Sequence, residues 1–98
     1  MYDLTTKVLT MDKVGDKTEV LVKVNAVSSG SFGLRRVAEM RARARALISS
    51  GIVNASVDTV ADFATGDLER MTRVISSQVN DVSLVRTVYL VRVEVNSD

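Results

Sequence analysis

The run Leu34–Ile48, LRRVAEMRARARALI, holds five of the nine arginines in the chain: Arg35, Arg36, Arg41, Arg43 and Arg45. A guanidinium offers a planar fork of donors that matches phosphate and carboxylate oxygens, so this density permits an anion-binding surface for nucleic acid or another polyanion. Just upstream, Gly30-Ser31-Phe32-Gly33 leads into the same segment and could hold a phosphate at a helix N-terminus. It lacks the spacing of a Walker loop or a dinucleotide-binding turn, and a loop-to-helix junction uses glycines for ordinary backbone reasons. Asn54, Ser56 and Asp58 alternate along one stretch and present oxygen to a hard cation, but three groups in a line do not converge on one ion. Asp58 and Asp62 form a carboxylate pair with nothing else that glycoside chemistry needs.

Two absences narrow the chemistry further. Cysteine is missing, which removes disulfides, thiol nucleophiles and thiolate metal sites. Histidine is also missing, which removes the imidazole base, the serine triad and imidazole-ligated metals. An enzyme built from this chain would have to work through carboxylates, lysine or a metal brought by its substrate. No arrangement of such residues emerges, so the reading is a non-enzymatic chain with no cofactor and no metal.

The elements that must position these residues follow from periodicity. Lys7 to Lys13 reads as a strand, Val14-Gly15-Asp16 supplies turn chemistry, and Thr18 to Asn25 alternates cleanly with Val20, Val22 and Val24 on one face. These make a β-hairpin. An alanine-rich background gives Phe32 to Ser49 a strong helical preference, and Gly51 stands where a left-handed residue ends a helix. Residues 53–63 alternate as a strand would, although VDTVADF also suits a helix. Thr65 then caps a second helix with Asp67 and Glu69 in its first turn and Leu68, Met71 and Ile75 as its buried stripe. Val82 to Val95 is the strongest strand. The predicted fold is α+β, one domain over residues 1–98, in the order β-β-α-β-α-β. Right-handed crossovers would give a four-stranded mixed sheet with both helices on one face.

Charge is unevenly placed around a net value of +1. Residues 34–48 carry five arginines against Glu39, while Asp58, Asp62, Asp67 and Glu69 follow in residues 52–69 with no base among them. On a helical wheel Leu34, Val37, Met40, Ala44, Leu47 and Ile48 form an apolar stripe, flanked by Arg36 and Arg43 on one side and by Arg41 and Arg45 on the other. Arginines beside such a stripe lay their methylenes over the core edge and put their charge in water. The pattern favours a solvated helix balanced by the neighbouring acids over a polyanion reader. Aromatic residues for base stacking are few as well, with two tyrosines and two phenylalanines. Ala38, Ala42 and Ala46 are expected to point outward, as a narrow line another backbone could approach.

The sheet offers a different candidate. With Val20, Val22, Val24, Val53, Val57, Val91 and Val93 toward the helices, Leu9, Met11, Leu21, Val88 and Leu90 are expected on the uncovered face, among Lys7, Lys13, Lys23, Arg86, Arg92, Glu19 and Glu94. Apolar residues inside a charged rim mark a partner surface. The expected function is therefore a structural or assembly subunit that self-associates through an open sheet face or an edge strand, as a small virion or filament component would. The alternative is a nucleic-acid or polyanion-binding module using the five helix arginines. The N-terminus shows no basic stretch followed by an apolar one, and no apolar run approaches a membrane span, so the expected location is the cytoplasm or an assembled particle.

Overall fold

The computed structural model describes residues 3–27, 33–63, 65–83 and 86–96. Strands β1 (Asp3–Val14) and β2 (Lys17–Val27) pair antiparallel across a two-residue connection that sets Val14 opposite Lys17. Gly15 occupies its first position at φ 66°, and Asp16 keeps a negative φ. A glycine there gives the primed turn whose twist matches the strands it joins. The expected hairpin is present.

Helix α1 (Leu34–Ser49) follows, then two short helices, α2 (Val57–Phe63) and α3 (Thr65–Met71), and a second antiparallel pair, β3 (Thr72–Val82) and β4 (Arg86–Asn96). The sheet order is β1-β2-β4-β3, and every neighbouring pair is antiparallel. The α+β class and the four strands match expectation, but the mixed sheet does not. Two hairpins flank one helical block, and among the described residues no strand is followed by a crossover to a parallel neighbour.

Residues 53–63 hold no strand. Ser56 caps a helix instead: its Oγ accepts from the Thr59 backbone N–H at 3.2 Å, and Asp58 stands in the first turn. Val57, Val60 and Ala61 then recur at helical spacing, and Val60 is buried. The expected second helix stops at Met71, short of Ile75. From Thr72 the β-branched alternation prevails, with Thr72 and Val74 paired to Val95 and Val93 of β4. The long C-terminal strand is thereby replaced by a hairpin, in which Ser83 N–H donates to the Arg86 carbonyl at 2.7 Å.

The C-terminus of α1 is built as its sequence implies. Gly51 adopts φ 81°, its N–H reaches the Ile48 carbonyl at 3.1 Å, and the Ile52 N–H reaches that of Leu47 at 3.2 Å. This is the full Schellman pattern, and it satisfies carbonyls the helix leaves open.

The face of α1 against the sheet is the one expected to look outward. Ala38, Ala42 and Ala46 are all 0% exposed. Arg35, beside this line on the wheel, reaches Ser77 of β3, and Arg45, on its other side, reaches Thr6 of β1. The alanine line therefore lies on the sheet, against a floor of Val20, Val22, Val24, Val91, Val93 and Val95, each at 0% exposure. The rest of the apolar stripe is not left to solvent. Arg41 ties α1 to Asp58 of α2 and Arg36 ties it to Glu69 of α3, placing those helices toward the side that bears Val37, Met40 and Ala44. Ala44, Val60 and Leu68 are buried in the same cluster as the valine floor. A helix covered on two sides has no single apolar face. The larger stripe fits the neighbouring helices, and the methyl-sized line lets α1 sit close to the strands.

Candidate functional site

The five helix arginines point to five different places. Arg35 Nη1 donates to the carbonyl and the Oγ of Ser77, both at 3.0 Å, and its guanidinium lies 5.5 Å from the Tyr89 ring centroid. Arg36 pairs with Glu69 at 3.8 Å and Arg41 with Asp58 at 2.9 Å. Arg43 Nη1 donates to the Thr72 carbonyl at 3.2 Å and to its Oγ1 at 3.3 Å. Arg45 Nε donates to Thr6 Oγ1 at 2.8 Å. Each guanidinium is thus engaged within the chain, as clamps between α1 and β1, β3, β4, α2 and α3. A shared exposed cation face, which a phosphate backbone would require, is not formed by these contacts.

The other polar candidates are also absorbed locally. Ser56 Oγ donates to Thr59 Oγ1 at 2.8 Å, Asp58 faces Arg41, and Asp67 pairs with Arg70 one turn along α3. Ser28 to Phe32, and with them most of the glycine-containing loop, lie outside the described residues, as does the side chain of Asp62. Among the described residues no three acidic groups gather as metal ligands. Among these residues no helix is long and apolar enough to cross a membrane. A shallow cavity of about 340 Å³ opens between β1 and the start of α2, lined by Leu4, Thr5, Thr6, Arg45, Ser56, Val57 and Asp58. Its one arginine already bonds Thr6, and its one acid already faces Arg41.

The helix-free face of the sheet is the remaining candidate, and the register fixes its membership. Val20, Val22 and Val24 face α1, so Glu19, Leu21, Lys23 and Asn25 of β2 face away. The pairs Leu21–Arg92, Lys23–Leu90 and Asn25–Val88 extend the same face onto β4. Leu21, Val88 and Leu90 therefore lie on this one face, interleaved with Lys23 and Arg92, with Leu21 and Leu90 half-buried and Val88 at 5% exposure. Met11 does not join them. It pairs with Val20 and so belongs to the helix side, where it is 43% exposed. Leu9 is the extra residue of a β-bulge between Val8 and Thr10.

That bulge decides what the face carries. On the turn side of it, Asp12 stands opposite Glu19 and Thr10 opposite Leu21; beyond it, Lys7 stands opposite Lys23 and Thr5 opposite Asn25. Were Leu9 paired in the ladder instead of bulged out, Lys7 would fall opposite Val24, on the helix side, because a one-residue slip exchanges faces. Across β1 and β2 the helix-free face thus holds two like-charged pairs of opposite sign, Lys7–Lys23 and Asp12–Glu19, separated by the single row Thr10–Leu21, and Glu94 of β4 extends the acidic row opposite Glu19. Glu19 also meets Arg92 at 3.7 Å, and Glu94 meets Lys17 at 3.2 Å and Arg73 at 3.5 Å. A recess of about 160 Å³ is lined by Thr5, Thr6, Lys7, Lys23 and Asn25, and the buried Asn25 Oδ1 has no hydrogen-bond partner there. The charge pairs were missed from sequence because they depend on the bulge. The placement of Met11 was legible, since a two-residue turn at Gly15-Asp16 already dictates its register with Val20.

Compared with protein-family models, curated proteins and solved structures, the chain matches none.

Proposed function

We propose that this chain is a non-catalytic assembly subunit that associates with copies of itself through the helix-free face of its sheet. The observation that carries this reading is the composition of that face. Leu21, Val88 and Leu90 share its middle with Lys23 and Arg92, with Lys7, Glu19 and Glu94 around them, while the helices join the core on the opposite side. Apolar side chains set among charges of both signs suit a partner surface. Association through a strand edge is the weaker route. Both edge strands are bulged, β1 at Leu9 and β3 at Ile75 and Asn80, and bulges are a device by which edges resist pairing. The polyanion reading loses support because its five arginines turn toward different partners within the chain, Arg36 most loosely, instead of gathering on one face.

Sedimentation velocity or light scattering tests the proposal. The chain is expected to self-associate at high micromolar concentration, and Leu21→Lys, at the half-buried centre of the face, is expected to shift it toward monomer. A monomer throughout that range, unchanged by Leu21→Lys, would overturn it.

A further inference from the structure

We infer that the second copy docks on this face with its strands reversed, so that Lys7 and Lys23 of one copy lie over Asp12 and Glu19 of the other. The inference rests on the proposed self-association and specifies its geometry. Like charges directly opposite each other on neighbouring strands are unfavourable unless something answers them. Here two such pairs occur on the same two strands, the same face and opposite signs, with only the Thr10–Leu21 row between them. Among the described residues Lys7, Lys23 and Asp12 have no ion-pair partner of their own.

A homodimer contact is self-complementary when a two-fold axis relates its halves. An axis in the interface, crossing the strands at the Leu21 row, reverses strand direction and carries the lysine row onto the acidic row. Each charged row then stands roughly 7 Å from the axis, two residues along the strand, and Leu21 meets its own copy at the centre. An axis running along the strands instead leaves every row over itself, lysine above lysine and acid above acid. The charges of β1 and β2 select the first arrangement, which on β4 sets Leu90 over Glu94 and leaves Arg92, on the Leu21 row, over its own copy. Face-to-face sheets packed within about 30° of alignment keep such rows in register over the two strands involved.

Charge reversal tests the arrangement. Lys7→Glu/Lys23→Glu makes both rows acidic, and Asp12→Lys/Glu19→Lys makes both basic. Each variant alone is expected to weaken self-association by at least about tenfold, because like charges meet across the contact. An equimolar mixture of the two is expected to recover wild-type affinity, now as a heterodimer, and wild-type association is expected to weaken as salt rises. Lys7→Glu mixed with Asp12→Lys serves as a milder pair that leaves the Glu19–Arg92 contact intact. Association that is indifferent to these reversals, or a mixture that fails to recover while both variants remain folded by circular dichroism, overturns this geometry and leaves self-association standing. A wild-type chain that stays monomeric overturns both.

Discussion

Arg43 of α1 holds Thr72, the first residue of β3, by two hydrogen bonds from one nitrogen: 3.2 Å to the carbonyl oxygen and 3.3 Å to Oγ1. The Thr72 hydroxyl in turn donates to the Leu68 carbonyl, so one buried threonine ties the end of α3, the start of β3 and the middle of α1. Hydrogen bonds to a charged group contribute about 1.5–3 kcal/mol each when buried. Arg43→Met is expected to cost about 2 kcal/mol in urea unfolding, and Thr72→Val a similar amount. Because the two changes remove the same contact, the double variant should lose less than their sum, by about 1 kcal/mol or more. Strict additivity would show that the contact is not formed in solution.

The alanine line under α1 makes a steric prediction. Ala42 is fully buried between α1 and the strands, so Ala42→Leu must push the helix off the valine floor. Overpacking of this kind costs about 1–3 kcal/mol, whereas leucine on an exposed helix surface costs almost nothing. A melting temperature unchanged by Ala42→Leu would mean that this side of the helix faces solvent.

Gly51 closes the same helix at φ 81°, and nothing stands within 4 Å of the position a Cβ would take. The effect of Gly51→Ala is therefore purely conformational, about 1–2 kcal/mol for an L-residue in the left-handed region. Chemical denaturation should report this loss without a change in m-value.

Deleting Leu9 should do little more harm than substituting it. The deletion removes the bulge but leaves Thr10 opposite Leu21, Val8 opposite Val22 and Lys7 opposite Lys23, so the ladder becomes regular while Leu4 and Val8 stay packed against the core. The β1 edge is therefore expected to stay folded, losing only the extra twist that a bulge adds. Leu9→Ser, which keeps the bulge and alters a side chain 43% exposed, should change stability by less than about 0.5 kcal/mol, as surface substitutions do. A deletion variant that melts far below Leu9→Ser would contradict this account of the bulge.

Where local chemistry decides structure, the sequence was readable. The Gly15 turn, the valine alternation of β2 and the Gly51 stop are each set by one or two residues and appear as expected. Where two periods compete, it was not. VDTVADF satisfies both strand and helix spacing, and the choice fell to Ser56, whose hydroxyl satisfies a backbone donor at the helix start. Ile75 continues the helical spacing of Leu68 and Met71, yet lies at a bulge in β3, because pairing with β4 captures the chain from Thr72 onward. The alanine line misled for a different reason. A wheel ranks faces by hydrophobicity, whereas α1 is covered on two sides and places its smallest residues against the flattest surface. In the candidate site, Leu21, Val88 and Leu90 followed from alternation alone, but the opposed charges required a register that only the bulge supplies.

The pairing of β2 with β4 has a kinetic consequence. The two hairpins close over short loops, but the seam between them joins Lys17 to Asn96 and Val27 to Arg86, and it separates strands that lie on either side of the whole helical block. Loop-closure entropy must be met before this seam returns any stability, so contacts of this separation slow folding. During synthesis the edge of β2 that faces away from β1 has no lasting strand partner until β4 has left the ribosome. The hairpins can flicker into place early, while commitment to the native state waits for β4 to dock along β2.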